Sequence, residues 1–368
     1  MRGYRLSALL CLAALWIPWG AKASPALLRG VDYLVSQQQA DGSWRSATYG
    51  GLKDGVALTG LVVTTLHAGG GRDPRVEAAV ARGLAFLERS TAEPSFRQGY
   101  PLYNGCFASW ALRLKPGFDP GGLRYDLVRR QFETEDSRRG GWGYAVLVGS
   151  TPEAVRPLGT SNVSSTVFAL GALHGMGALT PEIRKAAAAY LARLQDLSSD
   201  GGFCFSPDDH AANKAGAATD GLFTAYGSTT ADGLRAMLLC GDAVDSERRS
   251  RAARWLTNHF SAAQHPGAFA TQREVLRNSY YFYWCWSAAH ALHRLGLRET
   301  KSGPWAPALI SELSKRQRQD GSWRNEYTDA KEDDPLIATS FALAAMGISM
   351  AVDRGTAHQS HLFPVPAK

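Results

Sequence analysis

One element returns four times along this chain, and a chain that repeats itself in this way has to stack or close its repeats rather than build one irregular core. Near the start it reads Leu34-Val35-Ser36-Gln37-Gln38-Gln39-Ala40-Asp41-Gly42-Ser43-Trp44, and near the end Leu313-Ser314-Lys315-Arg316-Gln317-Arg318-Gln319-Asp320-Gly321-Ser322-Trp323. Between them lie Leu127…Gln131…Gly140-Gly141-Trp142 and Tyr190-Leu191…Gln195…Gly201-Gly202-Phe203. Each reads as a helix ending in Gln, a short turn, then Gly-x-aromatic. The Gln is expected to hydrogen-bond the start of a neighbouring helix while the aromatic ring stacks beneath it. On this reading Trp44, Trp142 and Trp323 are structural staples.

Two kinds of helix alternate around these turns. The outer kind is amphipathic and rich in Arg, Ala and Leu, near 25–39, 74–90, 120–132, 181–196, 246–260 and 304–318. Asp73-Pro74, Asp119-Pro120 and Thr180-Pro181 each put a capping side chain before a proline at the first helical position. The inner kind is apolar nearly all round, at 54–68, 103–114, 161–175, 228–240, 279–295 and 334–349. A helix apolar on every face is buried on every face or lines a cavity. Six inner and six outer helices imply an all-α protein, an (α/α)6 toroid spanning 24–352 as one domain.

The repeated Gln-to-Trp element resembles the QW repeat of the squalene–hopene and oxidosqualene cyclases, and the chain is similar to the wider terpenoid cyclase/protein prenyltransferase toroid family. The resemblance implies a fold more strongly than an activity. Hopene-type cyclases use an Asp-rich D-x-D-D-T acid; the similar segment here, Asn162-Val163-Ser164-Ser165-Thr166, keeps the Thr and lacks every acid. Protein prenyltransferases hold zinc with Asp, Cys and His; the matching positions here are Tyr226, Ser228 and Trp286, none of them a customary zinc ligand. A displaced site on Cys285, His290 and Asp232 is the one remaining arrangement, against which His290 reads as a core residue. The Cys-Gly-Glu-Gln segment of the thioester-domain toroids is absent, since Phe107-Ala108-Ser109 follows Cys106. Neither a metal nor a cofactor is therefore expected.

The first 23 residues read as a signal peptide: Arg2 and Arg5, an apolar run from Leu6 to Trp19, and an Ala21-Lys22-Ala23 cleavage site. The protein is thus expected to be exported, periplasmic or secreted. No later run of about 18 apolar residues is read from the sequence, so no transmembrane segment is expected, with peripheral membrane contact left open. Three of the 40 Lys and Arg (Arg2, Arg5, Lys22) lie in the leader, leaving 37 against 33 acidic residues, too slight an excess to point to nucleic acid. Of the four cysteines beyond it, Cys240 and Cys285 lie in apolar helical stretches and read as buried thiols; no pairing is assigned to Cys106, Cys204, Cys240 and Cys285. The polar tail from 353 to 368 reads as disordered, and loops 91–102 and 206–221 as lids.

Function is expected where the inner helices begin. Tyr226, Asp232, Tyr283, Trp286, Asn104 and Ser164 are the expected ligand contacts. Asp232 is the first candidate for a functional acid, followed by Asp54 and Asp334. The run Tyr280-Tyr281-Phe282-Tyr283-Trp284-Cys285-Trp286 makes an aromatic wall suited to an apolar, isoprenoid-like molecule or a glycan. The acids read equally well as carboxylates at helix starts, where the macrodipole favours them. A ligand-binding toroid is the leading expectation. An isoprenoid-processing enzyme with a rearranged acid and a carbohydrate-active hydrolase or lyase with paired carboxylates are the alternatives.

Overall fold

In the computed structural model, residues 24–355 are described, apart from 71–72, 94–95, 97–99, 145–159, 210–211, 217–223 and 329. The leader at 1–23, the tail from 356 onward and parts of both expected lids lie outside the described residues. Among the described residues there are twelve α-helices in two interleaved sets. The outer set is α1 (Pro25–Ser36), α3 (Pro74–Ala92), α5 (Gly121–Val128), α7 (Pro181–Leu194), α9 (Ser246–His259) and α11 (Trp305–Arg316). The inner set is α2 (Val56–Gly69), α4 (Pro101–Leu112), α6 (Val163–Gly175), α8 (Gly227–Cys240), α10 (Tyr281–Arg294) and α12 (Pro335–Asp353). Each inner helix packs against the next, and α12 packs back against α2, so the inner ring closes. Two short antiparallel pairs, Trp142–Gly143 with Ser161–Asn162 and Glu299–Thr300 with Gly303–Pro304, are the strands among the described residues.

The inner helices are buried on all sides, as in the unbroken buried run Val56 to Leu66 of α2. The case of α12 corrects the sequence reading. Its 19 residues are long and apolar enough by composition to cross a membrane, yet they are largely buried, packed on α1, α2, α10 and α11. Apolar composition on every face meets a protein interior as readily as a bilayer. Helix boundaries also shift. α4 begins two residues earlier than expected because Pro101 takes its first position. α5 is shorter than expected, starting at Gly121 and leaving Gln131 outside the helix.

The repeated turns act as clasps between neighbouring helix pairs. Gln38 Nε2 donates to the Gly42 carbonyl of its own turn and to the Ala79 carbonyl of α3, at 3.0 and 2.8 Å. Gln131 bridges Gly140 and Ile183 of α7, and Gln195 bridges Gly201 and Arg248 of α9. Gln317 bridges Gly321 and Ala26 of α1, joining the last turn to the first helix. The aromatic residue hangs below. Trp44, Trp142 and Trp323 donate their indole N–H to Leu34, Leu127 and Leu313 carbonyls. The backbone N–H of Trp44, Trp142, Phe203 and Trp323 donates to Thr59, Thr166, Thr230 and Thr339 on the following inner helix. Gly321 shows why the turn needs glycine: its φ is +87°, and an added Cβ would lie 2.4 Å from the Arg29 carbonyl oxygen.

Candidate functional site

The inner helices point their N-terminal halves into one cavity of about 340 Å³. All six contribute wall residues. α2 supplies Ala57, Leu58 and Leu61, α4 supplies Tyr103 and Phe107, and α6 supplies Ser164 and Phe168. Tyr226 and Ser228 come from the head of α8, Tyr280 and Tyr283 from that of α10, Ile337 and Phe341 from α12. Tyr100, Tyr144 and Phe205 complete an aromatic lining. Rings pack edge-on and offset through it: Tyr103 meets Phe168 edge-on at 5.3 Å between centroids, and Tyr283 meets Phe341 likewise at 5.3 Å. Burial pushes the phenols of Tyr103, Tyr144, Tyr226 and Tyr283 well above the usual range, so all four stay protonated.

The helix heads around this space are capped by the protein itself. Asp54 Oδ1 accepts from Val56 N–H, and its other oxygen accepts from Asn104 Nδ2, each at 3.0 Å. Asn162 Oδ1 accepts from Ser165 N–H, and Asp334 Oδ1 from Leu336 N–H. The heads of α8 and α10 are capped from a distance. Ser228 N–H donates to His265 Nε2 at 2.8 Å, and Glu332 accepts from Phe282 N–H and Tyr283 N–H at 3.0 and 2.7 Å. Since Nε2 accepts, the proton of His265 sits on Nδ1, 3.1 Å from the Arg277 carbonyl. Burial lowers the His265 pKa to about 3 and raises that of Glu332 to about 8.

Of the residues expected to contact a ligand or to serve as the functional acid, Tyr226, Tyr283 and Ser164 line the cavity. Asn104, Asp54, Asp334, Asp232 and Trp286 do not, and each has a physical reason. Asp54 and Asp334 are caps, and Asn104 ties Asp54 to the Phe96 carbonyl. Trp286 lies behind the lining rings, stacked on Phe168 at 5.5 Å, with the Arg235 guanidinium 4.4 Å from its ring centroid. Asp232 is fully buried and fully engaged. Its Oδ1 accepts from Ser287 Oγ at 2.5 Å and Arg235 Nη1 at 3.1 Å. Its Oδ2 accepts from Tyr283 OH at 2.7 Å and Ser164 Oγ at 2.8 Å. Burial raises its pKa, while Arg235 and the three hydroxyls pull the other way. Asp232 thus reaches the cavity only through Ser164 and Tyr283.

Charge in the described wall comes from Asp209, Lys214 and Lys331. Lys331 Nζ lies 5.2 Å from the Tyr100 ring and 5.5 Å from that of Tyr49, and Lys214 Nζ 5.6 Å from that of Tyr280. Cys285, His290 and Asp232 do not form a ligand set: among the described residues no three His, Cys, Asp or Glu come close enough to hold a metal ion. Cys106, Cys204, Cys240 and Cys285 are buried free thiols. The capping pair His265 and Glu332 lay outside the sequence reading, because each caps a helix that is distant along the chain. Asn162 begins the segment that resembles the Asp-rich acid of the cyclases, but only the fold puts it on the wall.

A family model described as a prenyltransferase alpha-alpha toroid domain matches residues 144–278 and 258–360. No curated protein matches the sequence. Among solved structures, the type II terpene cyclase MstE from Scytonema is 15% identical with a TM-score of 0.57, covering 89% of this chain and 98% of its own. A variant of that cyclase in complex with its substrate, geranylgeranyl dihydroxybenzoate, aligns at a TM-score of 0.58 and 15% identity, covering 89% of this chain and 96% of its own. An unsaturated glucuronyl hydrolase from Bacillus sp. GL1 is 16% identical with a TM-score of 0.55, covering 90% of this chain and 95% of its own. At these identities the likeness is one of fold.

Proposed function

The chain belongs to the prenyltransferase alpha-alpha toroid family, and from that premise we propose that it is an exported protein holding an apolar, isoprenoid-like small molecule in its central cavity. The observation that carries this reading is the wall. About 340 Å³ is lined mostly by Tyr, Phe, Leu and Ile side chains from the six inner helices and their heads, and its buried phenols are uncharged. A cavity that is mostly apolar, with a few convergent polar groups, is the expected form of a small-molecule site. Aromatic walls give a prenyl chain dispersion contacts along its length. MstE, of the same fold, is seen with a prenylated dihydroxybenzoate.

The alternatives are less supported. Cleaving a glycoside by paired acids needs two carboxyl groups facing one bond, and Asp209 is the one carboxylate among the described wall residues. Protonating an alkene needs an acid within reach of it, and Asp232 stands behind Ser164 and Tyr283 with both oxygens occupied. The leader expected at 1–23 supports export.

Binding measured by quenching of tryptophan fluorescence tests the proposal, using prenyl hydrocarbons and alcohols alongside an unsaturated glucuronyl disaccharide. The prenyl compounds are expected to bind, and Phe168→Asp, which puts a charge into the wall, is expected to abolish it. Binding of the disaccharide alone would overturn the reading in favour of the carbohydrate alternative.

A further inference from the structure

We propose that Asn162, Ser164 and Tyr283 form a hydroxyl-recognition patch, so that the ligand is an alcohol on an otherwise apolar body; this rests on reading the cavity as an apolar-ligand site. Ser164 and Tyr283 both line the cavity, and each has one hydroxyl proton. Each hydroxyl lies within donating distance of Asp232 Oδ2, at 2.8 and 2.7 Å, and the two are 3.1 Å apart, so a proton not on the carboxylate lies on the other hydroxyl and neither is left for the cavity. Asp232 is held as their acceptor from behind by Arg235 and Ser287. What the two hydroxyl oxygens have left to offer is lone pairs, so this part of the wall accepts hydrogen bonds.

A donor stands beside it. Asn162 lines the same cavity, is 1% exposed, and lies two residues before Ser164 at the head of α6. Its Oδ1 is fixed as the acceptor of Ser165 N–H, which turns Nδ2 the other way. Nδ2 is buried and has no hydrogen-bond partner among the described residues. A buried amide donor left unpaired costs free energy that a ligand acceptor would recover. Acceptors and a donor at one helix head are the complement of a hydroxyl group, which gives one proton and takes another. A carboxylate or phosphate head has no proton for the Ser164 and Tyr283 oxygens at neutral pH. An ammonium head has no lone pair for Asn162, and at the wall the two lysines Lys214 and Lys331 outnumber the one carboxylate, Asp209. The geometry therefore favours an uncharged alcohol.

The test compares farnesol, farnesyl methyl ether and farnesene on the mature chain by isothermal calorimetry. The ether keeps the oxygen and loses the proton, and the hydrocarbon lacks both. Farnesol is expected to bind about tenfold more tightly than the ether, which leaves one hydrogen bond unmade, and more tightly again than farnesene, which leaves two. Tyr283→Phe should shrink the alcohol-to-ether ratio toward one. Asn162→Ser, which keeps a capping oxygen but withdraws the amide, should instead weaken alcohol and ether alike relative to farnesene. Ser164→Ala serves as a second acceptor variant should Tyr283→Phe not fold, and Arg249→Gln on the outer face should leave the ratio unchanged. Equal binding of alcohol and ether by the unaltered protein, with farnesene also bound, overturns the hydroxyl patch and leaves the apolar cavity standing. No binding by any of the three overturns both.

Discussion

Asp232 illustrates how one side chain changes meaning between sequence and structure. Read along the chain, it is an acid one turn inside an apolar helix, a natural candidate for chemistry. In the fold it is the hub of a buried polar cluster, with four donors for its two oxygens. Asp232→Asn replaces an acceptor by a donor facing Arg235 and leaves that guanidinium buried without its counter-charge. Breaking a buried pair from one side costs about 3–5 kcal/mol, so chemical denaturation should show a loss of that order. An Asp232→Asn protein of unchanged stability would mean the pair contributes nothing to the fold. Trp323 is the opposite case, legible from its turn. It is fully buried, with its indole N–H on the Leu313 carbonyl. Trp323→Ala should cost about 3–5 kcal/mol, seen as a lowered melting temperature.

At the scale of the element, two inner helices depend on caps from neighbouring segments, and those caps titrate in opposite senses. His265 has a folded pKa lowered to about 3 from 6.5. Between those values the unfolded chain binds more protons, so its contribution is present above about pH 6.5 and lost as pH falls toward 3. Protonation would also turn Nε2 into a donor facing Ser228 N–H. Glu332 has a folded pKa raised from 4.5 to about 8. Here the folded chain binds more protons, so its contribution is fully present below pH 4.5 and declines as pH rises through 8. Melting temperatures across pH 4 to 9 should therefore respond differently to the two variants. His265→Gln should remove part of the acid-side loss, and Glu332→Gln part of the decline on the alkaline side. Identical pH profiles for Glu332→Gln and the unaltered protein would refute the second assignment.

On the scale of the whole molecule, the ring has to close on itself. α12 packs on α1 and α2, and Gln317 reaches from the last repeated turn to the Ala26 carbonyl of the first helix. The wall of the cavity draws on all six inner helices, so an open ring has no cavity to offer. Removing residues 24–36 should uncover the apolar face of α12 and replace a single cooperative calorimetric transition by a broad one, with loss of prenyl-compound binding. A truncated chain that still melted cooperatively and bound the same compounds would show that closure through α1 is dispensable.

The architecture was legible because its signals are local and repeated. Gln, Gly and an aromatic recur in the same order though the turn between them varies in length, and each works within its own turn and the next helix, a relation the repeated order preserves. The alternation of amphipathic and wholly apolar helices identified the two layers for the same reason. Helix ends were less legible: Tyr100-Pro101 starts α4 earlier than the apolar pattern suggests, and α5 stops short so that Gln131 can reach Ile183. Only tertiary structure decided which polar groups face the cavity. Periodicity places Asp232, Tyr283 and Trp286 all at inner helices, but their exposure depends on what arrives from other repeats. Ser164 and Tyr283 cover Asp232, and Phe168 covers Trp286. His265 and Glu332 became caps through contacts 37 and 50 residues away along the chain. Such pairings are set by how neighbouring repeats pack, a property of the assembled helices that no single segment carries.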